Sequence, residues 1–220
     1  MVLRRGGESP LTTTGIQVSS LMSAPALPRK TASPGPEDIL WAAAKIALYT
    51  ARTIQVHRAL VQTWASPHLD FWCMINSNMF DQAAIHWCKL FGSSDGNSTH
   101  WKNIVTDENQ FRNDLLRHLN IARPKWDAYG KKIRDFRNWD AAHYDEQRRE
   151  LKTYPDFEIA LKATYFYYAY LAAELLKHGI RPEPFDLGAF SEAFIDQARL
   201  IADAACGATK HMEEKVTISG

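Results

Sequence analysis

Apolar residues recur every three to four positions through most of residues 37–206, and that period constrains the fold more than any other feature. Gly and Pro stand mainly at the breaks between periodic stretches. Pro36, Pro67, Pro124 and Pro155 open such stretches, and Gly92, Gly179 and Gly207 close them. A chain punctuated this way is expected to be all-α, an up-and-down bundle of about five to six helices.

Taken in order, residues 1–36 are rich in Ser, Thr, Pro and Gly and keep no period, so they read as a disordered leader. The first helix is expected from Pro36 to Ala65, with Ile39, Ala43, Ile46, Thr50, Ile54, His57, Val61 and Trp64 as its stripe. His57 reads as a packed histidine. Ser66-Pro67 restarts the chain, and a second helix runs to a left-handed cap at Gly92. Its expected buried side is Phe71, Ile75, Met79, Ala83, His86 and Leu90. Asn76 and Asn78 within it are poor helix formers; they are either exposed or bonded across a helix pair. A polar loop over 93–99 and a short turn anchored by Trp101 follow. Thr106 or Asp107 caps a helix over 108–120, carrying Phe111, Leu115, Leu116 and Leu119. Later helices are expected to Leu176, on Ile159, Ala163, Phe166, Tyr170 and Ala173, and from Leu187 to Cys206, on Phe190, Phe194 and Ala198. The aromatic run Tyr165 to Tyr170 favours a central helix, or one shared with a partner. Residues 207–220 read as a flexible tail.

The helix opened by Pro124 carries the chemistry. Trp126, Tyr129, Ile133 and Phe136 fall on one narrow arc at about 100° per residue. Continued, the arc meets Asp140, flanked by Arg137 and His143. Polar groups where packing is expected must be paired or must serve a site. An ordinary pairing is available, since Arg137 and Asp140 are spaced for a helical ion pair and His143 for a packed core residue.

The string Arg137-Asn138-x-x-x-x-His143, with Tyr144 and Asp145 behind it, resembles the signature of the HEPN family (higher eukaryotes and prokaryotes nucleotide-binding). Trp87-Cys-Lys-Leu-Phe-Gly92 and His100-Trp-Lys-Asn-Ile-Val105 resemble segments of its abortive-infection branch, and the likeness spans roughly residues 37–178. The resemblance implies a helical domain over 37–206 that forms a homodimer through the motif helix. It implies metal-independent endoribonuclease activity leaving a 2′,3′-cyclic phosphate, in phage defence or as a toxin. Arg137, Asn138 and His143 would be catalytic, with Asp140, Tyr144 and Asp145 in support. On one straight helix Arg137 and His143 lie about 120° and ~9 Å apart, so a cleft shared by two copies suits them better than one chain. His143 would move protons, Arg137 would hold phosphate, and Lys131, Lys132 and Arg134 would steer the RNA backbone. In one branch a Tyr two places after the His is modified by a nucleotidyltransferase-type antitoxin; here Tyr144 is one place after it. Two other readings stand beside this one: a catalytically silent nucleotide- or RNA-binding dimerisation module, and a plain helical interaction protein.

Composition narrows the field. A formal net charge of +1 argues against a general nucleic-acid binder, although residues 123–152 hold nine Lys or Arg against six Asp or Glu. Cys73, Cys88 and Cys206 match no disulfide or zinc spacing. Cys73 and Cys88 read as buried small hydrophobes in a reducing, cytoplasmic setting. No segment is apolar for the ~20 residues of a membrane span, and no motif calls for a metal or other cofactor.

Overall fold

Alanine is what lets the first helix sit in the middle of this molecule. The computed structural model describes residues 34–63, 68–138 and 155–213, and among these every regular element is helical. Helix α1 spans Pro36–Gln62, and Ala43, Ala44, Ala47 and Ala51 along it are all buried. With so little side chain, neighbours approach on more than one side. It packs against α2 (Asp70–Phe91), α5 (Glu158–Lys177) and α6 (Leu187–Thr209). Two shorter helices, α3 (Glu108–Leu119) and α4 (Arg123–Phe136), close the bundle against α5 and α2 respectively. The described residues thus form an all-α bundle of six helices belonging to one compact unit that begins at Pro34. Of the leader expected over 1–36, residues 1–33 lie outside the described residues, and Pro36 already belongs to α1.

The core is aromatic. Trp87 of α2 is fully buried, with Phe91 stacked at 5.3 Å and Trp126 and Tyr129 of α4 edge-on at 5.8 and 5.9 Å. Edge-to-face geometry sets the positive rim of one ring against the negative face of another. Losing a side chain of this size from a packed interior costs about 3–5 kcal/mol. Phe80 links the same layer to Phe136 and Phe157, at 4.9 and 4.8 Å.

Polar bonds fix the helix ends. Asp107 accepts from the Gln110 amide and Asp186 from the Ala189 amide, each satisfying a donor the helix cannot. The cap residue of α5, Phe157, has no side-chain acceptor; Asp156 accepts from the Glu158 amide at 2.9 Å, and Tyr129 of α4 takes over part of the rest. Its hydroxyl donates to the Asp156 carbonyl at 2.7 Å and accepts from the Ala160 amide at 3.0 Å. Burial raises the phenol's pKa, so it stays protonated and able to donate. The start of α2 is held from afar, by Glu213 accepting from the His68 amide at 2.7 Å.

Several sequence expectations need correction. Helix α1 stops at Gln62 and α2 starts at Asp70; Ser66 and Pro67 lie outside the described residues. Phe71 and Cys73, expected inside, are exposed, because the start of α2 packs through Trp72 and Ile75 against α1 and α6 and turns its other face outward. Val61 is exposed too. Of the stripe expected on α5, Ala163 is buried and Ile159, Phe166 and Tyr170 pack partly buried against the core, but Ala173 is exposed, and Ala160, Leu161, Thr164, Tyr167, Tyr168 and Leu171 are buried as well. It meets α1, α3 and α6, so no single stripe describes it. Gly207 does not end α6, which runs to Thr209 and on into a turn over Lys210–Met212. Residues 207–213 are therefore helical, and 214–220 lie outside the described residues.

The described residues bear out other expectations. Asn76 bonds across the α1–α2 pair to His57, and Gly179 takes the left-handed conformation (φ 72°) that ends α5. No helix among the described residues is long and apolar enough to cross a membrane.

Candidate functional site

The stripe of α4 does what its period requires. Trp126, Ile133 and Phe136 are buried, and Gly130 is buried between them. A side chain at Gly130 would come within 3.2 Å of the Arg134 guanidinium and 3.7 Å of Trp87, so glycine here gives Arg134 room. With the apolar arc committed inward, Arg134 and Arg137 come out on the flank that faces the C-terminal end of α2.

Arg137 is half-buried there. Its guanidinium bonds the thiol of Cys88, and its Nε is buried with no hydrogen-bond partner. Cys88 is itself buried, which pushes its thiol up from the ordinary range, while Arg137 and Arg134 pull against that. No carboxylate among the described residues pairs with Arg137.

The wall opposite is a loop held by its own side chains. The Asn97 amide donates to the Lys89 carbonyl at 2.7 Å and the Ser93 carbonyl at 3.2 Å, and Thr99 donates to Lys89 at 3.2 Å. Asn103 donates to the Ser94 and Asn97 carbonyls, both at 2.8 Å. The bonds to Lys89 satisfy a carbonyl that the end of α2 leaves open, and the others tie the loop to itself. Gly92 makes the turn possible, though by a different route from the expected left-handed cap. Its φ is −78°, and a side chain there would lie 2.5 Å from the Cys88 carbonyl oxygen. Glycine is needed at this position for a close approach.

His100 anchors the loop's far end and is almost fully buried. It donates to the Phe91 carbonyl, and its Nδ1 accepts from the Lys102 amide at 3.2 Å. Those two bonds define the neutral ring with its proton on Nε2. Burial foremost, with Lys102 and Arg134 nearby, pulls its pKa down to about 4. Trp101 beside it stacks on Phe111 at 5.1 Å, the anchoring role its position suggested.

Between these parts lies a cleft of about 230 Å³. Ile85 and Cys88 supply its apolar lining; Lys89, Ser93, Asp95 and Arg137 supply charge and a hydroxyl, with Asn97 at the loop. Among the described residues Lys89, Asp95 and Arg137 enter no ion pair. The volume is below the roughly 300–1,000 Å³ usual for pockets that enclose a small-molecule ligand.

Of the residues singled out from sequence, Arg134 and Arg137 come together beside Cys88. Asn138 follows Arg137 and is exposed, and Lys132 is half-buried. Lys131 is bound to Asp135 at 2.5 Å. Asp140, His143, Tyr144 and Asp145 lie outside the described residues. Sequence reasoning did not find Cys88, Lys89, Ser93, Asp95 or Asn97 as site residues. The available signal was the polar loop directly after Gly92, adjoining the Trp87–Gly92 segment.

Comparison with known proteins returns no matching family model, no similar curated protein and no similar solved structure.

Proposed function

We propose that this chain is a HEPN-type, metal-independent endoribonuclease acting in the cytoplasm, in phage defence or as a toxin. The observation that carries the reading is Arg137. A guanidinium held at the edge of a polar cleft, with no carboxylate partner among the described residues, is suited to an anionic ligand. The same residue opens the string that ends in His143.

The chemistry follows from residue type. One imidazole takes the proton from the ribose 2′-OH as that oxygen attacks the adjacent phosphorus. A second gives a proton to the departing 5′-oxygen, and the product is a 2′,3′-cyclic phosphate. Arg137 stabilises the charge on the crowded phosphate, and Asn138 holds a phosphate oxygen or the ring of His143. With one motif His in each chain the dimer is part of the mechanism, because two copies then furnish acid and base. In this reading Tyr144 is the position at which a nucleotidyltransferase-type antitoxin would act.

Two alternatives have their own support. The cleft needs no His143 in order to bind, which favours a silent nucleotide- or RNA-binding module. Val61, Phe71, Met74, Leu200 and Ile201 are exposed large hydrophobics on α1, α2 and α6, which favours a helical interaction protein.

Expression of the wild type, Arg137→Ala and His143→Ala, followed by end-mapping of cellular RNA, separates the ribonuclease from the other two. Cyclic-phosphate ends with the wild type only are expected. Intact RNA with all three removes the ribonuclease.

A further inference from the structure

The cleft beside Arg137 carries opposite charges that are not spent on one another. Lys89 and Arg137 are cationic, Asp95 is anionic, and none of the three enters an ion pair among the described residues. A bare phosphate would suit the two cations and be repelled by Asp95. A ligand with acceptors on one edge and donors on the next uses all of them. The apolar lining of Ile85 and Cys88 suits a flat ring, and about 230 Å³ suits one base better than a whole nucleotide.

We propose that this cleft takes a single RNA base and prefers guanine, a specificity that rests on the ribonuclease reading above. Guanine sets O6 and N7, both acceptors, beside N1–H and N2–H, both donors. Lys89 donates to O6, and the two oxygens of Asp95 accept from N1–H and N2–H. Arg137 stays on the phosphate of the same nucleotide. Uracil offers O4 to Lys89 but only N3–H to Asp95, so it ranks second. Adenine and cytosine turn a lone pair toward Asp95 and an amino group toward Lys89, and they rank last. The loop that presents Asp95 is tied down by Asn97 and Asn103, so the backbone that carries this residue is in place before the ligand arrives.

The test is calorimetric titration of the full chain with 3′-GMP, 3′-UMP, 3′-AMP and 3′-CMP, for the wild type and Asp95→Asn. The wild type should bind 3′-GMP at least about tenfold more tightly than 3′-AMP or 3′-CMP, with 3′-UMP between. Asp95→Asn should bring 3′-GMP down to the level of the others. Equal binding of all four, binding of none, or a guanine preference that survives Asp95→Asn overturns the proposal. A parallel titration with UUGUU and UUUUU separates RNA from free nucleotide. Tighter binding of UUGUU than of 3′-GMP supports an RNA base; the reverse order overturns that part. Failure here is separable from failure of the ribonuclease reading. Cleavage without base preference sinks only the guanine pocket, whereas selective 3′-GMP binding without any cleavage sinks only the nuclease.

Discussion

The Arg137 guanidinium bonds the buried Cys88 thiol across the α2–α4 packing, while its Nε stays without a partner. A thiol is a weak acceptor and neutralises no charge, so most of the binding capacity of the fork remains. Arg137→Ala should therefore lower RNA cleavage by about a hundredfold or more. Its unfolding free energy should change by less than ~1 kcal/mol, because what it leaves behind is a neutral, apolar Cys88. Arg137→Lys should fare almost as badly, since a point charge cannot grip two phosphate oxygens in one plane. Cleavage rates and urea unfolding of the two variants check this. Near-normal activity in Arg137→Lys would show that charge alone suffices.

His100 makes stability depend on pH. The sign follows from its depressed pKa: the unfolded chain takes up the proton first, so acid favours unfolding. The contribution is complete above about 6.5, the ordinary histidine value, and is lost as pH falls toward about 4. His57 and His86 are lowered as well, burial being the main cause in each, and they add to the loss in the same direction. For His100 the loss should be on the order of 1–3 kcal/mol. Protonated at Nδ1, the ring can no longer accept from Lys102. Denaturant midpoints at pH 7.5 and pH 5 should differ clearly in the wild type and less in His100→Gln. A pH-independent midpoint would mean that the ring is not buried as described.

Gly92 and Gly96 should respond differently to alanine. A methyl at Gly92 would sit 2.5 Å from the Cys88 carbonyl, which is helix backbone and cannot swing aside. A methyl at Gly96 would meet nothing, and only its positive φ of 64° resists. Gly96→Ala should cost about 1 kcal/mol, as is usual for a left-handed site. Gly92→Ala should cost more, and it should weaken ligand binding at Arg137 as well, because the displaced backbone carries Cys88. Thermal unfolding together with nucleotide titration would show both effects; equal costs at the two sites would contradict the close approach.

What could be read from the sequence depended on how many neighbours each helix has. Helix α4 faces inward along one arc, so Trp126, Ile133 and Phe136 were legible from spacing alone. Helices α1 and α5 meet several partners each, and their buried residues, such as Ala44, Ala51, Tyr167 and Tyr168, wrap around more of the helix than one stripe allows. Phe71 and Cys73 misled because the start of α2 is apolar on more than one side, and hydrophobicity does not reveal that Trp72 and Ile75 are the pair that packs. In the candidate site, Arg137 belongs to a local pattern that spacing singles out. Lys89, Asp95 and Cys88 reach the same cleft only through the tertiary pairing of α2 with α4, which no local spacing encodes.

The cross-helix bond between His57 and Asn76 lends itself to a closed thermodynamic cycle. Nδ1 of His57 lies 2.8 Å from Oδ1 of Asn76, and the ring stands edge-on to Phe80 at 5.0 Å. The amide oxygen only accepts, so the imidazole donates through Nδ1. Replacing either residue alone strands a partly buried polar group, at a cost of about 1–3 kcal/mol. Replacing both removes donor and acceptor together, and two leucines can fill the space against Phe80. His57→Leu and Asn76→Leu should therefore each destabilise, while the double variant costs less than their sum by about 1 kcal/mol. Urea unfolding of the four proteins measures that difference. Strict additivity would mean that the two side chains do not bond, and that Asn76 sits in α2 for some reason other than His57.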